Sequence, residues 1–141
     1  MKIKIKKLNS EAIVPKYAHE GDAGMDLFSV ENLILKSKHR VAVKTGISIG
    51  LPKGYVGLVW DKSGVALKSG IKTMAGVMDS GYRGEYKIVL INLSSKNFEI
   101  KKGQKIAQLL IQKIEGPKIE IVEELSETKR GEGGFGSSGV N

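Results

Sequence analysis

An all-β sandwich or barrel is the fold this chain predicts, on three observations. Apolar residues recur with period two in short runs spaced about ten residues apart. Turn signals bearing glycine or proline separate the runs. No window long enough for a stable helix shows a convincing helical repeat.

The runs follow one another in a regular order. Ile3 and Ile5 alternate with lysines. Asp26 sits among apolar residues on a further expected strand. Val41 and Val43 alternate, then Ile47 and Ile49, then Val56, Leu58 and Trp60. Ile88 to Leu93, Ile106 to Ile114, and finally Ile119 with Ile121 complete the set. Turns are expected at Leu51-Pro52-Lys53-Gly54, Asp79-Ser80-Gly81 and Lys101-Lys102-Gly103. The runs flanking Gly76 to Glu85 are expected to pair as a hairpin, with Asp79 to Tyr82 near its turn. One short helix, two turns at most, is expected over Ser63 to Ser69.

The length fits one domain, and there is neither an internal repeat nor an interdomain linker. We divide it into a β domain over residues 1–128 and a glycine-rich arm over 129–141. Five of the ten residues from Arg130 to Gly139 are glycine, and the acidic Glu120, Glu123, Glu124 and Glu127 precede them. Such a composition ordinarily means a disordered tail. Arg130 and Phe135 suggest otherwise, being an anion binder and an aromatic platform set in glycine whose N–H groups can crowd around phosphate oxygens.

The longest apolar runs fall short of the ~20 residues that span a bilayer, so no membrane role is expected. The N-terminal MKIKIKK lacks the continuous apolar stretch of a secretory signal, which favours the cytoplasm. With no cysteine there is no disulfide framework and no thiolate chemistry. The net charge of +8 fits an anionic partner or simply a basic surface. Only 6% of residues are aromatic, too few for the interleaved aromatic and basic face of a single-strand binder, so nucleic acid is not expected as a partner.

Five segments carry the candidate chemistry. In AGMDLFS, Asp26 needs a partner, either a structural cation or a ligand. In DKSG, Lys62, Ser63 and Gly64 offer charge, hydroxyl and backbone N–H to a phosphate, without the frame of a phosphate loop. In GVMDSGYRGE, Asp79 and Tyr82 project near one another; Asp79 is either a general base or a turn residue. In GQKIAQLL, Gln108 interrupts an apolar strand and needs hydrogen-bond partners. The fifth is RGEGGFGSSG in the arm.

In this order the five segments resemble the five motifs of the trimeric dUTPase family, over nearly the whole chain from about residue 20. The resemblance implies a β jelly roll, a distorted barrel, in a homotrimer whose sites are shared and whose C-terminal arms are exchanged. It implies hydrolysis of dUTP to dUMP and pyrophosphate, with Mg²⁺ as cofactor and dUTP as small-molecule partner. Asp79 is then the catalytic residue, orienting and deprotonating the attacking water. The implied substrate-binding set is Lys62, Ser63, Gly64, Thr73, Gly76, Val77, Tyr82, Lys87, Gln108, Arg130, Phe135, Gly136, Ser137 and Ser138. Within it Tyr82 packs on the deoxyribose, and Ser63, Gly64 and Gln108 hold phosphates. Arg130, Ser137 and Ser138 clamp the outer phosphates, and Phe135 covers the uracil. Asp26 serves the metal indirectly, through water.

Three positions depart from the family pattern: Lys62 replaces the usual Arg, Met25 a common Tyr, and Thr73 an Asn that contacts uracil in many bacterial members. Lysine supplies a point charge in place of a bidentate fork. The related dCTP deaminases carry a catalytic Glu ten residues after the motif Asp. Here that position is Val89, in a register supported by Asn92, and valine shuttles no proton.

Overall fold

The structure, a computed structural model, describes residues 1–134. Eleven strands and one short helix follow in chain order: β1 Lys4–Lys7, β2 Met25–Phe28, β3 Leu33–Leu35, β4 Arg40–Lys44, β5 Ile47–Gly50, β6 Tyr55–Trp60, α1 Ser63–Ser69, β7 Ile71–Met74, β8 Val77–Asp79, β9 Lys87–Asn92, β10 Phe98–Ile100 and β11 Lys105–Lys113. They form four small sheets, ordered β1-β5, β10-β3, β2-β11-β6-β8 and β4-β9-β7, and every named pair is antiparallel.

The alternating runs become strands because one side of each faces a common core. Val43, Ile49, Ile88, Leu90, Ile100 and Leu109 are all buried, with Leu27 and Ile47 beside them. The expected turns close by backbone hydrogen bonds from Tyr55 to Pro52, Tyr82 to Asp79 and Gln104 to Lys101. β7 and β9 pair as the expected hairpin, with Met74 opposite Val89. Their connection carries β8, which crosses to the other sheet and pairs with β6.

α1 falls where expected and buries no residue. A helix this short is marginal in isolation, and Gly70 ends it in the left-handed conformation at φ 66°. Among the described residues, no helix is long and apolar enough to cross a membrane.

One expected strand is absent. Ile119 and Ile121 lie in an extended segment outside any sheet, 95% and 96% exposed. Among the described residues no strand lies beside this segment to take its backbone hydrogen bonds, and alternation alone does not make a strand.

In β11 the alternation is broken on purpose. The register against β2 slips between Lys105 and Ala107, so Ile106 is an extra, bulged residue and both Ile106 and Ala107 are buried. Beyond the bulge, Gln108 lies opposite Asp26 on one side and Trp60 on the other.

Candidate active site

The row Asp26, Gln108, Trp60 opens onto a cavity of about 680 Å³, which Asp61, Lys62, Ser63 and Gly24 also line. Asp26 is buried, and both its oxygens meet lysines: Lys62 on Oδ1, and Lys105 Nζ at 2.7 Å from Oδ2. Burial alone would raise its pKa. The hydrogen bonds and charges of Lys105 and Lys62 outweigh that and hold the carboxyl below its ordinary range. Two ammonium groups on one carboxylate leave the cluster with one net positive charge. An anion is the complementary ligand.

Gln108 donates from Nε2 to the carbonyl of Asp61 at 2.8 Å. Gly24 makes room for it, since a Cβ there would stand 2.5 Å from Gln108 Oε1. Asp61 in turn ties this cavity to β7. Its Oδ1 accepts the backbone N–H and the hydroxyl of Thr73, each at 2.6 Å, and its Oδ2 meets Lys72 at 2.8 Å. Burial pushes the Asp61 pKa up, but Lys72 and Thr73 pull it below the usual value. The hydrogen of the Thr73 hydroxyl is therefore engaged within the chain, and its oxygen lone pairs remain the only part open to a ligand.

A second cavity, about 310 Å³, is lined by Val77, Met78, Asp79, Tyr82, Glu85 and Lys87. Asp79 ends β8, exposed, and its carboxylate has no cation or hydrogen-bond partner among the described residues. The turn that follows sets Tyr82 beside it, with the phenol donating to the carbonyl of Glu85 at 3.0 Å. Beneath it lies Tyr86, ring centroids 6.0 Å apart. Burial raises the Tyr86 pKa to about 12. Its hydroxyl has no partner among the described residues.

Between the two lies a slot of about 210 Å³, shaped by Thr73, Ala75, Gly76, Val77 and the end of β6. Gly76 takes φ 107°, and a Cβ there would come within 2.8 Å of the Val59 carbonyl oxygen. Only glycine fits this close approach of two backbones.

The structure thus groups the expected residues into two sets and keeps the sets apart. Gln108 is level with Trp60 on β6, whereas Asp79 is level with Val56, four residues down the strand and across on β8. Strand rise and spacing put their Cα atoms about 16 Å apart. Arg130 joins neither set; it lies in the exposed segment after β11, where its Nε donates to Gly133 at 2.8 Å. Phe135, Gly136, Ser137 and Ser138 lie outside the described residues. A further cavity, about 720 Å³, holds none of the expected residues; Lys2, Lys4, Lys6 and Arg83 border it.

Comparison with known proteins decides what this arrangement belongs to. The family model described as dUTPase matches residues 10–139. The chain belongs to the dUTPase family. A deoxyuridine 5'-triphosphate nucleotidohydrolase of Clostridium kluyveri is 52% identical over 142 aligned positions, covering 99% of each chain. A variant dUTPase of Staphylococcus bacteriophage 80alpha, in a structure with dUpNHpp, superposes with TM-score 0.93 at 33% identity, covering 99% of each chain. A variant dUTPase of phage phi11 of S. aureus, described as coordinating a structural Mg(II) ion, superposes with TM-score 0.85 at 28% identity over 90% of this chain and all of that one. The all-β, jelly-roll dUTPase fold expected from the motifs is therefore the fold of this chain.

Two residues that the fold brings to the candidate site carry no signal in the sequence. Asp61 and Lys105 lie inside the quoted motifs, yet nothing local marks them. Asp61 matters for its contact with Thr73 across the sheet, and Lys105 for a bulge that brings its ammonium to Asp26.

Proposed function

We propose that this protein is a dUTP diphosphatase, hydrolysing dUTP to dUMP and pyrophosphate by attack of water on the α-phosphorus. The consequences are less uracil in DNA and a supply of dUMP for thymidylate synthesis. The observation that carries the reading is the unpaired Asp79 carboxylate beside Tyr82 and a backbone-lined slot, in a chain of the dUTPase family. The relatives named above as acting on deoxyuridine triphosphate or holding its analogue support the substrate.

Asp79 accepts a proton from the attacking water as general base. A carboxylate with no competing cation among the described residues is available for that task. Tyr82 lies against the deoxyribose and excludes a 2′-hydroxyl. The backbone around Gly76 and Val77, with Thr73 at the edge, reads uracil. Fixed donor and acceptor order rejects cytosine, because a mismatch leaves buried groups unpaired, and a tight slot rejects the methyl of thymine. Lys87 lies beside the sugar pocket. Lys62, Ser63, Gly64 and Gln108 hold the phosphates, where the net positive charge around Asp26 favours them.

Among the described residues, no three His, Cys, Asp or Glu gather as a metal cage. That donor set fits a hydrated Mg²⁺ carried on the substrate's phosphates, which keeps several waters and needs no protein cage. Asp26, whose two oxygens meet Lys62 and Lys105, would act on such an ion only at one remove, through a water in the ion's shell. The ion supplies charge neutralisation to the triphosphate.

The separation of the two residue sets argues for a shared site. Cα atoms about 16 Å apart are far for two residues serving one reaction centre, which supports a site where the phosphate set of one subunit meets the Asp79 set of another. Leu67, Val77, Ile34 and Trp60, each more than half exposed, are apolar surface that a homotrimer would cover. The arm, residues 129–141, crosses to a neighbour and brings Arg130, Phe135, Gly136, Ser137 and Ser138 to its phosphates and base. The segment leading to it alternates Ile119-Glu120-Ile121. β1 alternates Lys4-Ile5-Lys6 and pairs only with β5 among the described residues, so the two patterns are complementary for strand addition. We place the protein in the cytoplasm, where nucleotide pools are handled.

A panel of dUTP, dCTP, dTTP and UTP, read by pyrophosphate and ammonia release, tests the proposal. Pyrophosphate from dUTP alone is expected. Ammonia from dCTP would make the protein a deaminase, and no turnover of any nucleotide would remove the enzymatic reading.

A further inference from the structure

Nothing above assigns a role to Gly84, yet it is the residue that seats Tyr82. A Cβ built at Gly84 would meet the Tyr82 hydroxyl oxygen at 2.3 Å, Cζ at 2.5 Å and Cε2 at 2.8 Å. Real side chains do not tolerate such distances, so the phenol ring lies directly on the bare backbone of residue 84. Gly84 is not in the left-handed region, so conformational freedom is not what requires glycine here. The requirement is space for one aromatic ring.

The surface under that ring is held fixed. Ser48 Oγ donates to the Arg83 carbonyl at 2.7 Å, and the Gly46 N–H donates to Glu85 Oε1 at 2.9 Å. Thr45 Oγ1 donates to the Tyr86 carbonyl at 2.6 Å, and the Tyr86 N–H donates to Ile47 at 2.9 Å. Four hydrogen bonds thus hold Arg83, the Glu85 side chain and Tyr86 to residues 45–48, on either side of Gly84. On this ledge the Tyr82 hydroxyl finds the Glu85 carbonyl and the ring meets Tyr86.

We propose that Gly84 is a positioning residue that sets sugar selectivity: the ledge of residues 83 to 86 seats the Tyr82 ring in the one place where it leaves no room for a 2′-hydroxyl. This rests on the reading of Tyr82 as the sugar-facing wall. With residues 83, 85 and 86 held, a methyl at residue 84 moves the backbone less readily than the ring above it. It displaces the far end of the Tyr82 side chain, which at 43% exposure has solvent space to move into on giving up the Glu85 carbonyl. Gly84→Ala therefore moves the wall and spares the fold.

The experiment measures kcat/KM for dUTP and UTP on the full chain, its Gly84→Ala variant and its Tyr82→Ala variant, with thermal melts alongside. An apolar wall rejects an added hydroxyl by about 100-fold. Gly84→Ala is expected to raise the UTP to dUTP ratio about tenfold with Tm nearly unchanged, and Tyr82→Ala to raise it at least as far. A raised ratio for Tyr82→Ala but not for a folded Gly84→Ala overturns the role of Gly84 and leaves that of Tyr82 standing. An unchanged ratio for Tyr82→Ala overturns the sugar-wall reading, and the inference with it. Should Gly84→Ala fail to fold, Ser48→Ala loosens the same ledge at the Arg83 carbonyl. A several-fold rise in the ratio then supports the inference, and no change refutes it.

Discussion

Replacing Thr73 by valine separates a structural role from a base-reading one. The substitution keeps the shape of the side chain and deletes one hydrogen bond, from Oγ1 to Asp61 at 2.6 Å. The backbone N–H of residue 73 stays on the same oxygen. A hydrogen bond to a charged group contributes about 1.5–3 kcal/mol. The Asp61 side chain is 22% exposed, so solvent relieves part of the loss and the lower end applies, about 1.5 kcal/mol. For a chain of this size that lowers Tm by about 3–6 °C. The effect depends on pH with a defined sign. The Asp61 pKa in the folded chain lies below its unfolded 3.8, so its stabilisation is fully present above pH 3.8 and disappears as the pH falls through the folded value. Thermal melts at pH 7 should show the full gap between parent and variant, and melts below pH 3.8 a narrowing one. Protein concentration is held fixed, because association shifts apparent stability. An equal gap at both pH values would trace the loss to packing and refute the hydrogen-bond argument. A raised KM for dUTP at unchanged Tm would instead assign the hydroxyl to the base.

Asp79→Asn keeps the shape of the pocket and removes the proton acceptor, so kcat should fall by about 10²–10⁴ while dUTP still binds by calorimetry; retained turnover removes Asp79 from the base role. Ending the chain after Lys129 should leave the β fold intact by circular dichroism and nearly abolish dUTP hydrolysis, and full activity would deny the arm a part in the site. Tyr86→Phe deletes a buried hydroxyl that has no partner, so denaturant unfolding should show no loss of stability; a loss above about 1 kcal/mol would mean that the hydroxyl is hydrogen-bonded in solution.

Much of this molecule is local in origin. Period-two alternation marked most of the strands, because a strand is stable only when one face is buried and the pattern records which face. The three turns and the short helix were legible for the same reason, their signals lying within a few residues of the feature. The order of five motifs carried the family. Ile119 and Ile121 show the limit of such patterns: their alternation is real, but a strand needs a partner and the described residues offer none beside them.

The tertiary structure decided what no local pattern encodes. The bulge at Ile106 fixes which face Gln108 presents, since a slip of one residue reverses every side chain after it. Asp26 acquires its two lysines from segments far along the chain, and Thr73 turns out to serve Asp61 through its hydroxyl. The distance between Gln108 and Asp79 follows from strand order, which depends on how whole strands pack. Residue identity fixes the chemistry available. Placement is settled by the pairing and packing of distant segments, which bring some of those groups within reach of each other and hold others apart.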